Sequence, residues 1–77
     1  MPLVTVDIIE NVFNAEQKKE IIEKITDTMV GIEGEALRGV TWVRINEVKE
    51  GDWGIGGQTL DAATVHAMRD APKPAHA

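Results

Sequence analysis

The chain is short and acidic and contains no cysteine: its 77 residues carry a formal net charge of −5 at pH 7. This length allows a single domain, and the lack of cysteine excludes disulfide bonds and cysteine-ligated metals. The acidic balance, without a cluster of basic residues, argues against nucleic-acid and membrane partners. We find no apolar run long enough to span a membrane and no signal peptide, so we expect a cytoplasmic protein.

The hydrophobic fraction of 43% is high for so small a chain. A domain of this size buries a modest share of its surface, and small domains without disulfides or metals often gain stability by oligomerising. We therefore expect part of the apolar surface to lie between subunits of a homo-oligomer.

The first predicted element is a β-strand at residues 2–9, which are rich in β-branched side chains. Apolar residues lie on both of its faces, so we expect a helix over one face and another subunit over the other. A connection at 10–13 leads to a helix over about 15–30, with Asn14 as N-cap and Gln17 completing an approximate capping box. The apolar stripe of this helix is predicted to consist of Ile21, Ile22, Ile25 and Met29.

The second predicted strand covers residues 40–48, after Gly31 and Gly34 end the helix and a linker leaves space for one helical turn. A strand, a helix and a strand of these lengths predict a βαβ unit with parallel strands and a right-handed crossover. The alternation places Thr41, Val43 and Ile45 on the face expected under the helix, and Trp42, Arg44 and Asn46 on the opposite face.

The glycine-rich stretch at 53–58, after a polar turn at 49–52, predicts a short hairpin and not a stable strand interior. It lacks the Lys-Ser/Thr pair of a Walker motif, so it is not a phosphate loop. Asp61 or Thr59 could cap a last helix over about 62–69. The Pro- and Ala-rich tail at 71–77 is expected to fray.

Pro2 has the most distinctive potential chemistry in the chain. If Met1 is removed, the first strand begins with a free secondary amine, which can act as general base or acid or condense with a carbonyl. Burial and nearby cations would lower the pKa of such an amine, which would leave it unprotonated near neutral pH. If Met1 stays attached, the nitrogen of Pro2 is an amide nitrogen without basicity. A Met-Pro start taken alone carries little information.

Four features occur in one order: a Met-Pro start on a strand, Glu16-Gln17-Lys18 opening a helix, a second strand ending in Glu47-Val48, and then Asp52-Trp53-Gly54-Ile55-Gly56-Gly57. From Pro2 to about Gln58 the chain resembles the 4-oxalocrotonate tautomerase family. The resemblance implies an α+β, β-α-β subunit with a C-terminal hairpin and short helix. It implies pairing into a dimer with a four-stranded sheet, and further assembly of such dimers into a trimer of dimers. It also implies that Pro2 is the catalytic amine and that Trp53 lines the active site.

The chain departs from this resemblance where the best-known members carry two arginines. After the first strand it reads Asn11-Val12-Phe13, and the matching position on the second strand is Trp42. Arg44, on the same strand face as Trp42, and Arg38, just before the strand, are the candidate replacements. With Trp53 these residues form the candidate substrate-binding set. A surface ion pair or a subunit contact is the alternative for Arg44, and packing or an interface position is the alternative for Trp42 and Trp53. Because a carboxylate needs such a cation, a muconate-type substrate is in doubt.

Together these features predict a cofactor-independent tautomerase acting on a small enol or 2-oxo acid, with Pro2 as base, working as a homo-oligomer that is either a dimer or a hexamer. No metal is expected, since His66 and His76 lie far apart without a third ligand. Two alternatives stay open. One is a non-catalytic or promiscuous small-molecule-binding family member, and the other is a hydratase- or dehalogenase-like relative with an acidic group next to the amine. We take 1–60 as the β-α-β domain and 61–77 as the short helix and tail of that domain.

Overall fold

A computed structural model describes residues 1–71 of the chain. It confirms the α+β class and the predicted order of elements, a β-α-β unit followed by a hairpin and a short helix. Within the described part of the chain, no helix is long and apolar enough to cross a membrane. The elements are β1 (Leu3–Ile9), α1 (Ala15–Glu33), a 3-10 helix (Glu35–Val40), β2 (Trp42–Val48), β3 (Trp53–Ile55), β4 (Gln58–Leu60) and α2 (Ala62–Asp70).

The strands β1 and β2 form a parallel pair, as predicted, with Leu3 beside Trp42 at one end and Ile9 beside Val48 at the other. The ladder is closed at its first end by the backbone N–H of Trp42, which donates to the carbonyl oxygen of Pro2 at 3.0 Å. At the second end the N–H of Glu10 donates to the carbonyl oxygen of Val48 at 2.8 Å. Hydrogen bonding therefore continues across the full length of both strands.

The two faces of this strand pair differ sharply in exposure. The face that packs under α1 is made of half-buried or buried apolar side chains except at Glu47, and this is the arrangement predicted for Val43 and Ile45. The outer face is open over most of its length. Leu3 and Trp42, which are neighbours in register, are each 58% exposed on this outer face. The remaining exposed side chains of the outer face are Thr5, Asp7, Arg44 and Asn46.

The N-terminus of α1 is held by the predicted capping box. The side-chain Oδ1 of Asn14 accepts a hydrogen bond from the N–H of Gln17 at 2.8 Å, and Oε1 of Gln17 accepts one from the N–H of Asn14 at 3.0 Å. Both bonds satisfy backbone groups that the first turn of a helix leaves without an intrahelical partner. The local sequence was sufficient to predict this end of the helix.

The C-terminus of α1 lies three residues beyond the predicted position, so the prediction that Gly31 ends the helix was wrong. Gly31 stays helical, and the chain leaves the helix at Gly34, whose φ of 107° is accessible to glycine at little cost. Within α1, Val30 is buried, whereas Ile22, expected in the apolar stripe, is 38% exposed. The 3-10 helix that follows delays the start of β2 from residue 40 to Trp42.

The hairpin turns at Gly56 and Gly57, whose φ angles of 58° and 83° are both positive. Two adjacent positive φ values are typical of the tight turn that matches the twist of a two-stranded hairpin. The next helix, α2, is capped by Asp61 and not by Thr59, since Oδ1 of Asp61 accepts the N–H of Thr64 at 2.8 Å. Most of the predicted frayed tail, from residue 72 onwards, lies outside the described residues.

The hairpin and α2 cover one end of the outer face of the strand pair. Ile9, Val12 and Ala62 are buried together, and the half-buried side chains packed against them are Phe13, Trp53, Leu60 and Val65. We call this group the far-end cluster. The carboxylate of Glu50 connects α2 to the loop after β1. Its Oε1 accepts the N–H of Ala62 at 2.6 Å, and its Oε2 accepts a hydrogen bond from Nδ2 of Asn11 at 3.3 Å.

Candidate active site

Pro2 lies at the open end of the strand pair, directly before β1. It is half-buried, and its carbonyl oxygen is bonded to the N–H of Trp42. Met1, by contrast, projects into solvent with 82% exposure. The ladder hydrogen bond therefore fixes the backbone of Pro2, while its nitrogen would become the chain terminus on removal of Met1.

Trp42 and Arg44 follow Pro2 along the outer face, beside Leu3 and Thr5 respectively. Alternate residues of a strand are about 6–7 Å apart, so the backbone of Arg44 lies about that much further from the open end than the backbone of Trp42. Both side chains are exposed. The structure thus places two of the four candidate substrate-binding residues near Pro2, on a surface that one chain leaves uncovered.

Arg38 is engaged by two carboxylates within its own chain. Its Nε and Nη2 donate to the two carboxylate oxygens of Glu35 at 2.8 and 3.2 Å, and Nη1 donates to Oδ1 of Asp27 at 2.9 Å. The hydrogen bonds to Glu35, which have the largest effect, and the one to Asp27 raise the pKa of Arg38. A substrate carboxylate would have to compete with both of these partners, so Arg38 is a weaker candidate than Arg44.

Trp53 belongs to the far-end cluster, where it packs against Ile9, Val12 and Ala62. Strand residues advance about 3.3 Å each, so the seven steps from Pro2 to Ile9 span about 23 Å. Within one subunit, Pro2 and Trp53 therefore lie at opposite ends of β1. A site that uses both residues requires a second chain.

One carboxylate near the open end was not singled out from the sequence. Oε1 of Glu33 accepts a hydrogen bond from the hydroxyl of Thr41 at 2.8 Å, and Oε2 is buried without a hydrogen-bond partner among residues 1–71. Thr41 directly precedes Trp42, the residue bonded to Pro2. An acidic group thus lies at the Pro2 end of the strand pair, although the sequence offered no reason to choose it among thirteen acidic residues.

A cleft of about 420 Å³ lies at the opposite end, between the loop after β1 and α2. We call it the Arg69 cleft. Nε2 of His66 is 3.1 Å from the carbonyl oxygen of Asn11, and Nη2 of Arg69 is 2.9 Å from Nδ1 of His66. One indication of the contact between His66 and Arg69 was available in the sequence, because residues three apart on a helix lie on the same face. The cleft is lined by Asn11, Val12, Phe13, Asn14, Gln17, His66 and Arg69.

None of these arrangements suggests a metal centre. Within the described range 1–71, no three histidine, aspartate or glutamate side chains are grouped closely enough to hold a metal ion. Two acidic side chains of the strand pair make structural contacts. Asp7 accepts Nδ2 of Asn46 at 2.9 Å, and Glu47 pairs with Lys18 at 2.9 Å.

Comparison with known protein families finds a family model that matches most of the chain. This model, described as "Tautomerase enzyme", matches residues 2–63, from Pro2 to the second residue of α2. The chain belongs to the tautomerase family. This finding confirms the resemblance on which the sequence-based interpretation depends.

Two relatives of this tautomerase-family chain agree with the match. The chain is 38% identical over 60 residues to "Probable tautomerase K2" of Dickeya dadantii, an alignment that covers 78% of this chain and 88% of the relative. Its structure is similar to a crystal structure of apo unfused 4-OT, with a TM-score of 0.69 and 29% identity. That superposition covers 83% of this chain and 98% of the other, so the β-α-β fold is shared almost completely.

Proposed function

We propose that this tautomerase-family protein is a cofactor-independent tautomerase that interconverts the enol and keto forms of a small enol or 2-oxo acid, with Pro2 as general base and acid after Met1 is removed. The observation that carries the proposal is the position of Pro2. It is the first residue of the family match, it starts β1, and it is half-buried. Family membership supports activity of the tautomerase type in general, and the role of Pro2 is our inference.

The proposed reaction needs one proton acceptor that becomes a proton donor. The nitrogen of Pro2 takes the proton from the enol hydroxyl, the enolate forms the ketone, and the resulting ammonium delivers the proton to carbon. Such a group works best when its pKa lies near the working pH, and burial disfavours the charged form of an amine. A second subunit covering the open end would add to this burial.

The open edges of the strand pair support an assembly of this kind. An uncovered strand edge presents backbone groups that can pair with another copy of the chain. If two β1 edges pair in antiparallel orientation about a twofold axis, the Ile9 end of one chain lies beside Pro2 of the other. This pairing builds the predicted four-stranded sheet and brings Trp53 of one subunit towards Pro2 of its partner. The predicted trimer of dimers would then cover the outer face that carries Trp42 and Arg44.

The test is to replace or block the amine without changing the rest of the chain. We expect Pro2→Ala to slow ketonisation of phenylenolpyruvate by about 10²-fold or more, the usual contribution of a positioned proton-transfer group. The matched control is wild-type sequence with Met1 retained, verified by intact mass, which should be equally slow because the nitrogen is then an amide. Assays with 2-hydroxymuconate address the dicarboxylate substrate.

Turnover that is unchanged by Pro2→Ala would contradict the proposal. A natively processed protein that retains Met1 would instead favour a non-catalytic, small-molecule-binding family member. These two outcomes are distinguishable, because the first concerns the rate and the second concerns the mass of the purified chain.

A hydratase- or dehalogenase-like activity is the second candidate, and Glu33 is the observation that favours it. Such chemistry needs an acidic group near the amine to activate water, and Glu33 supplies a buried carboxylate oxygen at the Pro2 end. The measurement is halide release from a halogenated 2-enoic acid by wild type and Glu33→Gln. Release that is absent, or that is unaffected by the substitution, excludes this candidate.

A further inference from the structure

The Arg69 cleft contains a cation beside the loop after β1, where the sequence itself lacks the expected arginine. The loop after β1, where an arginine was expected and found missing, reads Asn11-Val12-Phe13 and lines this cleft. Arg69 reaches the same cleft from α2, more than fifty residues further along the chain. The guanidinium therefore lies at the loop through packing of α2 and not through the local sequence.

His66 fixes the guanidinium in place through a single neutral tautomer. The carbonyl oxygen of Asn11 can only accept a hydrogen bond, so Nε2 of His66 must donate across the 3.1 Å contact. A guanidinium can only donate, so Nδ1 of His66 accepts from Nη2 of Arg69 at 2.9 Å. One tautomer satisfies both contacts, and the chain Asn11–His66–Arg69 orients the cation relative to β1.

The other polar groups of the cleft also favour an acceptor-rich ligand. Asn14 and Gln17 use their side-chain oxygens as acceptors in the capping box. The other polar group of each side chain is an NH₂ group, which can only donate. The N-terminus of the 19-residue helix α1 adds partial positive charge on the same side. Phe13 and Val12 supply an apolar wall. A carboxylate attached to an apolar body matches this lining.

Nearby acidic groups compete only weakly for the cation. Nε of Arg69 lies 3.6 Å from Oδ1 of Asp70, which is too long for a hydrogen bond, and both side chains are largely exposed. Two other carboxylates at this loop are already engaged. Glu50 is bonded to Asn11 and to the N–H of Ala62, and Glu10 accepts the N–H of Glu50 at 3.4 Å. His66 uses one of the five N–H donors of the guanidinium, so donors remain for a bidentate contact with a carboxylate.

We propose that the Arg69 cleft binds the carboxylate of the substrate, with Arg69 as the binding cation and His66 as its positioning residue. The substrate class, a small enol or 2-oxo acid with an apolar body, rests on the proposed function. In the antiparallel pairing described above, the cleft of one subunit faces the Pro2 end of its partner. The cleft then holds the acid group while the amine of the other subunit moves the proton.

Binding of an unreactive carboxylate tests the proposal independently of turnover. The probes are 3-phenylpropanoate and its neutral amide, 3-phenylpropanamide, titrated into the full-length protein and followed by NMR shifts of the Arg69 Nε–H and the His66 ring. We expect Arg69→Gln to weaken binding of the carboxylate about tenfold, the scale of a charge-assisted hydrogen bond, and to leave affinity for the amide within about twofold. Lys19→Gln removes an exposed cation of α1 and is the matched control for net charge.

Three outcomes overturn the proposal. The first is wild-type affinity of Arg69→Gln for 3-phenylpropanoate, and the second is an equal loss for the carboxylate and the amide, which would indicate a change of shape. The third is weakening that Lys19→Gln reproduces, because the effect would then come from net charge.

The positioning role of His66 is tested by a pair of variants. His66→Leu removes both hydrogen bonds and should raise KM for phenylenolpyruvate several-fold while kcat changes little, because the carboxylate is bound equally in ground and transition states. His66→Gln keeps one donor and one acceptor and should recover most of the loss. Equal KM values for the two variants would overturn the positioning role.

Failure of this proposal and failure of the proposed function are separable. If Pro2→Ala retains full turnover while Arg69→Gln loses carboxylate affinity, the cleft is a carboxylate site and the assignment of Pro2 is wrong. If Pro2→Ala is inactive while Arg69→Gln binds 3-phenylpropanoate normally, Pro2 stands and the Arg69 cleft is not the binding site.

Discussion

The two ends of the β1–β2 pair differ in what they can do. The Pro2 end holds the candidate amine but has little cover, with Leu3 and Trp42 more than half exposed. The opposite end is covered by the far-end cluster and contains a cleft with Arg69 and His66. One end therefore offers a reactive group without a pocket, and the other offers a pocket without a proposed base.

This contrast indicates that one chain holds two halves of a site and not a whole one. The halves lie about 23 Å apart along β1, which is beyond the reach of a small substrate. A twofold, antiparallel arrangement joins unlike ends of the two chains and so assembles two complete sites from four halves. The predictions below test whether the ends really cooperate in this way.

The largest expected effect comes from mixing subunits that lack different halves. Pro2→Ala and Trp53→Ala should each be poorly active alone. After joint unfolding and refolding at equal amounts, about half of the dimers contain both variants, and one of their two sites is intact. We expect recovery of about one quarter of wild-type turnover. Activity equal to the mean of the two parents would mean that each site lies within one chain.

Truncation of a core residue at each end should separate subunit stability from assembly. Ile9 is 6% exposed in the far-end cluster, so Ile9→Ala should lower the free energy of unfolding by about 2–4 kcal/mol. Leu3→Ala should change the stability of the isolated subunit by less than about 0.5 kcal/mol but weaken assembly. Chemical denaturation at several protein concentrations distinguishes the two. A Leu3→Ala protein whose assembly equals that of wild type would show that the open end stays open.

Glu50 links the covered end together, so its removal should loosen that end selectively. Glu50→Ala leaves the N–H of Ala62 and the side chain of Asn11 without their acceptor and should cost about 1–2 kcal/mol. Hydrogen exchange should show the loss at the start of α2 before it appears in β1. Uniform loss of protection over both ends would indicate that the two regions unfold as one unit.

The smallest expected effect is a pH dependence of α2. The backbone N–H of Thr64, and then its side chain, hydrogen-bond to Asp61 and lower the pKa of its carboxyl below the reference value of 3.8. The stabilisation by this cap is therefore complete above about pH 4 and is lost as the pH falls through the lowered pKa. Exchange rates of α2 amides between pH 5 and 2 should show this loss, and Asp61→Asn should flatten it.

Much of the fold could be predicted from short stretches of sequence. The β-branched run of β1, the Asn14–Gln17 capping box and the Gly56-Gly57 turn each act through neighbouring residues, and all are present. The exact end of α1 could not be predicted, because a helix tolerates Gly31 when tertiary packing, here burial of Val30, stabilises its last turns.

The candidate site was less predictable than the fold. Pro2 was singled out by the chemistry of a free secondary amine and then by the family resemblance, and Trp53 by the resemblance alone. Arg44 and Trp42 were chosen because they lie at or near the position of a missing family arginine. The catalytic and binding roles of all four stay predictions. The structure adds that Arg38 is bound by Glu35, three residues earlier on the same 3-10 helix, and by Asp27 on α1. The contact with Asp27 joins separate elements, and no spacing rule indicates it.

The sequence by itself determined the order of strands and helices and the identity of the residue that could become a free amine, because both depend on residues adjacent in the chain. Only the tertiary structure decided that Trp53 lies at the opposite end from Pro2, and that Arg69 and His66 meet the loop after β1. His66 and Asn11 are 55 positions apart. Such contacts arise from how α2 packs on Ile9 and Val12, and the packing of distant apolar surfaces leaves no local signature in the sequence.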